Sequence, residues 1–242
     1  MNNKYNIAGL NVIIDVQCER LLNNAAKFKA DFDSPDITIT ADNLKLSELQ
    51  NKYKGMSFDD LVFMYTGSVF YRKILDFNGV LLHAAAIKYK GIGLAFSADS
   101  GTGKSTHAAL WKTLYPNDVT IINDDKPAIR KIDGHLYIYG TPWSGKADIN
   151  ENESAELAAV FFIKRSQNNF IYEITAKDAA SRFFKQTIRP KSVELAEKLL
   201  ETSKDIIESA TFFELNCNKN LEAVKTVEKV LESRKILLDN CI

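Results

Sequence analysis

Residues 94–106 read Leu-Ala-Phe-Ser-Ala-Asp-Ser-Gly-Thr-Gly-Lys-Ser-Thr, and this segment constrains the chain more than any other. An apolar run leads into a turn with two glycines, then into Lys104-Ser105-Thr106, then into a helical pattern. Turns built on Gly101 and Gly103 let successive backbone N–H groups point at one anion. A helix starting near Lys104 adds the positive end of its dipole. In a strand–turn–helix setting, Lys104 reaches outer phosphates and the Ser105 hydroxyl holds magnesium. The sequence therefore predicts a P-loop for a nucleoside triphosphate across Ala98, Asp99, Ser100, Gly101, Thr102, Gly103, Lys104, Ser105 and Thr106. Ala98 stands where the usual pattern begins with glycine.

The rest of the chain bounds the setting. Of 242 residues, 45% are hydrophobic, enough for a sizeable core. Lys+Arg and Asp+Glu are both 31, so no net charge draws the protein to nucleic acid or a membrane surface. Cys18, Cys217 and Cys241 are far apart and lack metal spacing, which reads as free thiols in a reducing compartment. The first residues show no apolar signal segment, and no run approaches the length of a membrane span. A cytoplasmic protein is expected.

Periodicity gives an α/β chain with a mixed sheet. Strands are expected within 5–17 and at 36–40, a helix from Phe58 to Leu75 after Ser57, and a stop at Asn78-Gly79. A buried strand at 80–87 then turns at 88–91 into the 93–97 strand, followed by a helix at 105–114 and a strand at 119–123. Asp133-Gly134 predicts a hairpin between 128–132 and 135–139. Strands at 157–163, 170–174 and 211–217 and helices at 176–188, 192–209 and 221–238 complete the reading, with Pro190 stopping the first of these helices. A boundary near Gly79 divides a β-rich region with one helix (1–78) from a nucleotide-binding core (79–242).

Around the loop, Asp124-Asp125 ends an apolar strand, the edge where α/β proteins gather their sites. One carboxylate is the expected magnesium partner of such a loop. The neighbouring one faces elsewhere if strand geometry persists, free to accept a proton from an incoming hydroxyl. Asp124 on the metal and Asp125 as base is one assignment, and the reverse is the other. His83, placed mid-strand, approaches Ser97 across an antiparallel ladder and so comes near the phosphates. Arg189, at a predicted helix end, serves either as a charge on the transferring group or as a cap. Lys146, in the loop holding Trp143, and Lys164-Arg165 are further candidates for phosphate or substrate contact, with packing and solvation as the alternatives.

His83, the hairpin to Gly91, the segment from Asp99 to Ser105 and Asp124-Asp125 together resemble the catalytic domain of HPr kinase/phosphorylase. The same order is similar to ATP-dependent phosphoenolpyruvate carboxykinase, whose nucleotide-binding fold is related. The resemblance covers about residues 79–175. It implies that His83 and the aspartates flank a γ-phosphate, that Asp124 or Asp125 activates a serine hydroxyl, and that ATP and Mg²⁺ are the cofactors. Thr106 stands where that family has an acidic residue, and the later loop of the bifunctional enzyme is missing. The chain looks more like stand-alone HPr-kinase-like serine kinases of peptide-modification clusters, including those acting on lasso-peptide precursors. The implied partner is a peptide or small-protein acceptor, and a homo-oligomer is compatible with it. The alternatives are a carboxykinase-like small-molecule enzyme and a non-catalytic nucleotide-binding module.

Overall fold

The computed structural model describes residues 3–237. Cys241 and the end of the helix expected at 221–238 lie outside them. Two sheets organise the chain. The smaller joins β1 (Lys4–Ile7), antiparallel to β2 (Leu10–Asp15), with β3 (Ile37–Thr40) parallel to β2. Alternation drives this pairing: Ile37 and Ile39 are buried while Thr38 and Thr40 face out. Three helices accompany this sheet: α1 (Glu19–Ala25), α2 (Asn43–Lys52) and α3 (Phe58–Lys73). Ser57 caps α3 by accepting from the Asp60 N–H, and acidic Asp59 and Asp60 sit in its first turn. A short 3₁₀ turn follows, and Asn78 ends it in the left-handed conformation.

The larger sheet runs β4 (Gly79–Leu81), β8 (Ala128–Ile132), β9 (His135–Tyr139), β10 (Ser154–Arg165), β6 (Ile92–Ser97), β5 (Ala84–Tyr89), β7 (Val119–Asn123). The order places β6 between β10 and β5. β10 is long enough to serve several partners: β9 pairs with its first residues, and β12 (Thr211–Cys217) runs parallel to residues 159–165. The edge strand β11 (Phe170–Glu173) pairs only with β12. Helix α4 (Lys104–Leu114) packs on β5, β6 and β7, α5 (Ala176–Lys185) packs on α6 (Val193–Ser209), and α7 (Glu222–Ser233) covers β11 and α4. β6 is buried along its whole length, so a chain leaving its carboxyl end emerges from the middle of the core. Among the described residues, no helix is long and apolar enough to cross a membrane.

The structure corrects four expectations. The strand expected at 80–87 is two strands, β4 and β5, and His83 lies in the break between them rather than mid-strand. The break has a cause: the Leu82 N–H still follows the β8 side to the Pro127 carbonyl, but the His83 N–H donates to the Gln186 carbonyl, away from the ladder. The helix expected to run to residue 188 ends at Lys185, well before Pro190, with Gln186 as its C-cap. The helix expected to begin at Leu221 runs from Glu222 to Ser233, and its Val230 is only partly buried. Helices α1 and α2 fill a stretch that reads from sequence as polar connection.

Candidate functional site

The 98–106 loop leaves β6 and enters α4 with no intervening element. Gly101 and Gly103 have φ of +76° and +131°, values that L side chains rarely adopt. A Cβ at either would meet no atom within 4 Å, so backbone conformation rather than crowding requires glycine there. Lys104 is buried, with 6% of its surface exposed, and its Nζ folds back to the Ala98 carbonyl at 2.9 Å and the Asp99 carbonyl at 3.5 Å. Burial pushes its pKa down, against the fields of nearby Asp125 and Asp99. From outside, Arg165 at the end of β10 donates to the Thr102 carbonyl at 3.1 Å and to the Gly101 carbonyl. Carbonyls tied down in this way leave the loop N–H groups to face other partners.

Opposite the loop, β7 ends in buried Asn123. Its Oδ1 accepts from the Asp125 N–H at 2.9 Å and the Lys126 N–H at 2.6 Å, turning the chain sharply. That turn sends the two carboxylates apart. Asp124 is buried and takes the Gly145 N–H at 2.6 Å. Burial raises its pKa, against that bond, and the neighbouring Asp125 and Asp148 charges raise it further. The Ser105 hydroxyl donates to the Asp124 carbonyl at 3.3 Å, so hydroxyl and carboxylate belong to adjoining residues in space. A lone buried carboxylate beside a hydroxyl is a hard-oxygen donor pair of the kind Mg²⁺ accepts. Among the described residues, no group of three or more His, Cys, Asp or Glu converges as a protein cage. Mg²⁺ bound mainly through phosphates and water needs none.

Asp125 faces the other way. Its Oδ1 lies 3.0 Å from His83 Nε2 and its Oδ2 2.5 Å from Lys126 Nζ. Burial alone would raise its pKa, but the His83 hydrogen bond and the Lys126 charge outweigh it and bring the carboxyl down to about 2. His83 Nδ1 is 2.9 Å from Gln186 Oε1, and Gln186 Nε2 donates to Asp99 Oδ1 at 2.7 Å. A carboxylate only accepts, so the Gln186 amide nitrogen faces Asp99, its oxygen faces His83, and His83 Nδ1 carries a hydrogen. One proton is then shared between His83 Nε2 and Asp125 Oδ1. A directed hydrogen-bond chain thus joins Asp99 of the loop to Asp125 through Gln186 and His83.

The sequence reading named Asp99, Lys104, Ser105, His83, Asp124 and Asp125, and the structure places them around one loop. It missed Gln186 and Lys126. Lys126 sits beside the aspartate pair in sequence, which is a usable signal; Gln186 offers none. Arg189 is exposed, three residues past Gln186, and makes neither an ion pair nor the helix-capping bonds among the described residues. Lys146 is exposed likewise, while Lys164 pairs with Glu214 at 2.8 Å. Trp143 is a packing residue: it stacks on Phe70, ring centroids 4.9 Å apart, and donates to Thr66 at 3.1 Å.

No protein-family model matches the chain, and no curated protein matches it. Among solved structures, the Hpr(Ser) kinase/phosphatase from Coxiella burnetii is similar at 10% identity and a TM-score of 0.37, over 66% of this chain and 99% of that one. So distant a likeness carries no function.

Proposed function

We propose that the protein is an ATP-dependent kinase that transfers the γ-phosphoryl group to a serine-type hydroxyl of a peptide or small protein. The observation that carries this reading is the pairing of a glycine loop and buried Lys104 with an ionised, histidine-linked Asp125 facing the same space. Backbone N–H groups of residues 99–106 and the start of α4 would hold the phosphates. Lys104, released from the Ala98 carbonyl, would neutralise the outer ones. Ser105 and Asp124 would hold Mg²⁺, which would supply charge neutralisation to the phosphates when bound.

Asp125 has the role of orienting the acceptor. Two of its roughly four lone-pair positions are taken by His83 and Lys126, which leaves room for a hydroxyl. The acceptor oxygen attacks the γ-phosphorus, the bond to the β-phosphate bridging oxygen breaks, and ADP departs. The hydroxyl proton passes to an unshared lone pair of the Asp125 carboxylate, while the proton between Asp125 and His83 stays in place. Most of the acceleration comes from positioning and fixed charge rather than from a strong base, in keeping with the low pKa of Asp125. Arg189 is free to swing onto the transferring group, the arginine role expected of it. The carboxykinase alternative needs a cationic pocket for a dicarboxylate; Arg165 is spent on loop carbonyls, and Lys146 and Arg189 share no partner among the described residues.

The test is transfer of label from γ-labelled ATP with Mg²⁺ to a serine-containing peptide library. The unaltered protein should transfer label, and Lys104→Ala and Asp125→Asn should each lose roughly 10²–10³-fold while unfolding cooperatively as before. Wild-type transfer by Lys104→Ala would overturn the reading.

A further inference from the structure

Among the described residues, the hydrogen bond that the Asp124 carboxylate accepts from another residue comes from the Gly145 N–H, 2.6 Å from Oδ1. Gly145 belongs to the connection between β9 and β10, residues 140–153. The contact is close: a Cβ at Gly145 would lie 3.0 Å from Asp124 Oδ2. Residues 146–149, which follow it, are exposed, so burial of apolar surface does not fix this stretch.

What fixes it is α1, from the N-terminal region. Arg20, Asn24 and Lys27 are spaced i, i+4, i+7 along α1 and the 3₁₀ turn after it, and so share one face. All three bond to the connection. Arg20 Nη2 donates to the Gly145 carbonyl at 2.9 Å and to Asp148 Oδ1 at 2.8 Å, and its Nε donates to the same carboxylate oxygen at 3.0 Å. Asn24 donates to the Pro142 carbonyl at 3.1 Å and the Ser144 hydroxyl at 3.0 Å, and Lys27 to the Asn150 carbonyl at 2.9 Å. Arg20 is held in turn by α3. Its guanidinium lies 4.2 Å from the centre of the Phe63 ring, and Asp59 accepts from the Glu19 and Arg20 N–H groups. Gly145 is thus gripped by both its polar groups, the carbonyl by Arg20 and the N–H by Asp124. As an ion pair, Arg20 and Asp148 are 28% and 45% exposed, which contributes only about 0.2–1 kcal/mol to stability. The use of the guanidinium is geometric: its planar fork bonds a carbonyl and a carboxylate at once, in fixed directions that a lysine ammonium does not impose.

We infer that Arg20 is a positioning residue for the metal site: by holding Gly145 and Asp148 together it aims the Gly145 N–H at Asp124 and fixes the carboxylate that takes Mg²⁺. This gives the N-terminal region a part in the chemistry, and it rests on the reading of Ser105 and Asp124 as the Mg²⁺ ligands. The test is calorimetric binding of the β,γ-imido analogue of ATP to the full chain, with Mg²⁺ and with EDTA. The unaltered protein should bind the analogue more tightly with Mg²⁺. Arg20→Ala should cut that gain by about tenfold, the lower end of the cost of losing an outer partner of a metal ligand, and leave binding in EDTA unchanged. Arg20→Lys keeps the charge and the stem but not the fork. It should move in the same direction, and it decides the matter where Arg20→Ala does not fold. A lower urea midpoint with the full Mg²⁺ gain retained, or an equal loss of affinity with Mg²⁺ and with EDTA, would make Arg20 a structural brace and overturn the inference while leaving the metal ligands as read. An unaltered protein that gains nothing from Mg²⁺ overturns the reading of Ser105 and Asp124, and the inference with it.

Discussion

Gln186 makes three hydrogen bonds to two residues of the site: its backbone carbonyl takes the His83 N–H at 2.7 Å, its amide oxygen faces His83 Nδ1, and its amide nitrogen reaches Asp99. Gln186→Leu removes both side-chain bonds while leaving the backbone one. His83 then loses the bond that fixes its tautomer, and the transfer rate should fall about 10–100-fold, the usual cost of losing an orienting partner. KM for ATP should change little, and the pH–rate profile should shift because the shared His83–Asp125 proton is no longer held in register. An unchanged rate and profile would make the chain a packing feature only. Asn123 offers a stability counterpart. It is fully buried, and Asn123→Ala strands the Asp125 and Lys126 N–H groups, each worth about 1–3 kcal/mol if left unpaired. Urea unfolding should show a loss of that order. The sequence made Lys104, Asp124 and Asp125 legible because their chemistry depends on short spacings along the chain. Gln186 lies 103 residues from His83 and belongs to no motif, so only folding brings it into view.

At the scale of elements, α3 and the loop after β9 hold the aspartate turn in place. Tyr71 of α3 donates to the Lys126 carbonyl at 2.8 Å, and Thr141 donates to the same carbonyl. Trp143 lies against Gly67 of α3 so closely that a Cβ there would sit 2.8 Å from the indole Cδ1. Gly67→Ala therefore forces the helix and loop apart. It should cost about 1–3 kcal/mol, as other overpacked sites do, and lower transfer as well, because the Lys126 carbonyl moves with the loop. Thermal unfolding and the transfer assay check the two parts; an unchanged melting temperature would show that the loop yields freely. Elements bounded by strong turn chemistry were legible to the residue, as in β8 and β9 around Asp133 (φ +50°) and Gly134 (φ +88°). Helix α2 was hidden because it buries only Leu46, too little for a period to show. The break at His83 was hidden because buried β4 and β5 read as one apolar run, and the partner that draws His83 off the ladder, Gln186, is distant in sequence.

At the scale of the whole molecule, the order of the large sheet could not be read from local pattern, since β10 draws β6, β9 and β12 from three different stretches of chain. That assembly buries His107 between α4 and the sheet, and the burial has a consequence for folding as a whole. Folded, His107 has its pKa pushed down to about 3; unfolded, it returns to about 6.5. Between those values the unfolded chain binds a proton that the folded chain refuses. Stability is thus fully present above about pH 6.5 and is lost as pH falls toward 3, with a limiting slope of about 1.4 kcal/mol per pH unit. Asp125 and Glu214 add losses only at lower pH. Their carboxyls, also subject to burial, are held near 2 by the His83 and Lys126 partners of Asp125 and by the Lys164, Tyr172, Asn216 and Arg182 partners of Glu214. Their contribution fades from about pH 4 downward. The interval from pH 7 to pH 5 lies above both of those windows, and the comparison with a His107 variant separates the histidine from the raised Asp124 carboxyl. Urea unfolding of the unaltered protein at pH 7, 6 and 5 should show falling stability. His107→Phe should start lower, since Trp111 loses its acceptor, but should lose less between pH 7 and 5. Equal slopes in the two proteins would mean that His107 accepts its proton without unfolding, and that the sheet and α4 do not seal it as tightly as its 2% exposure implies.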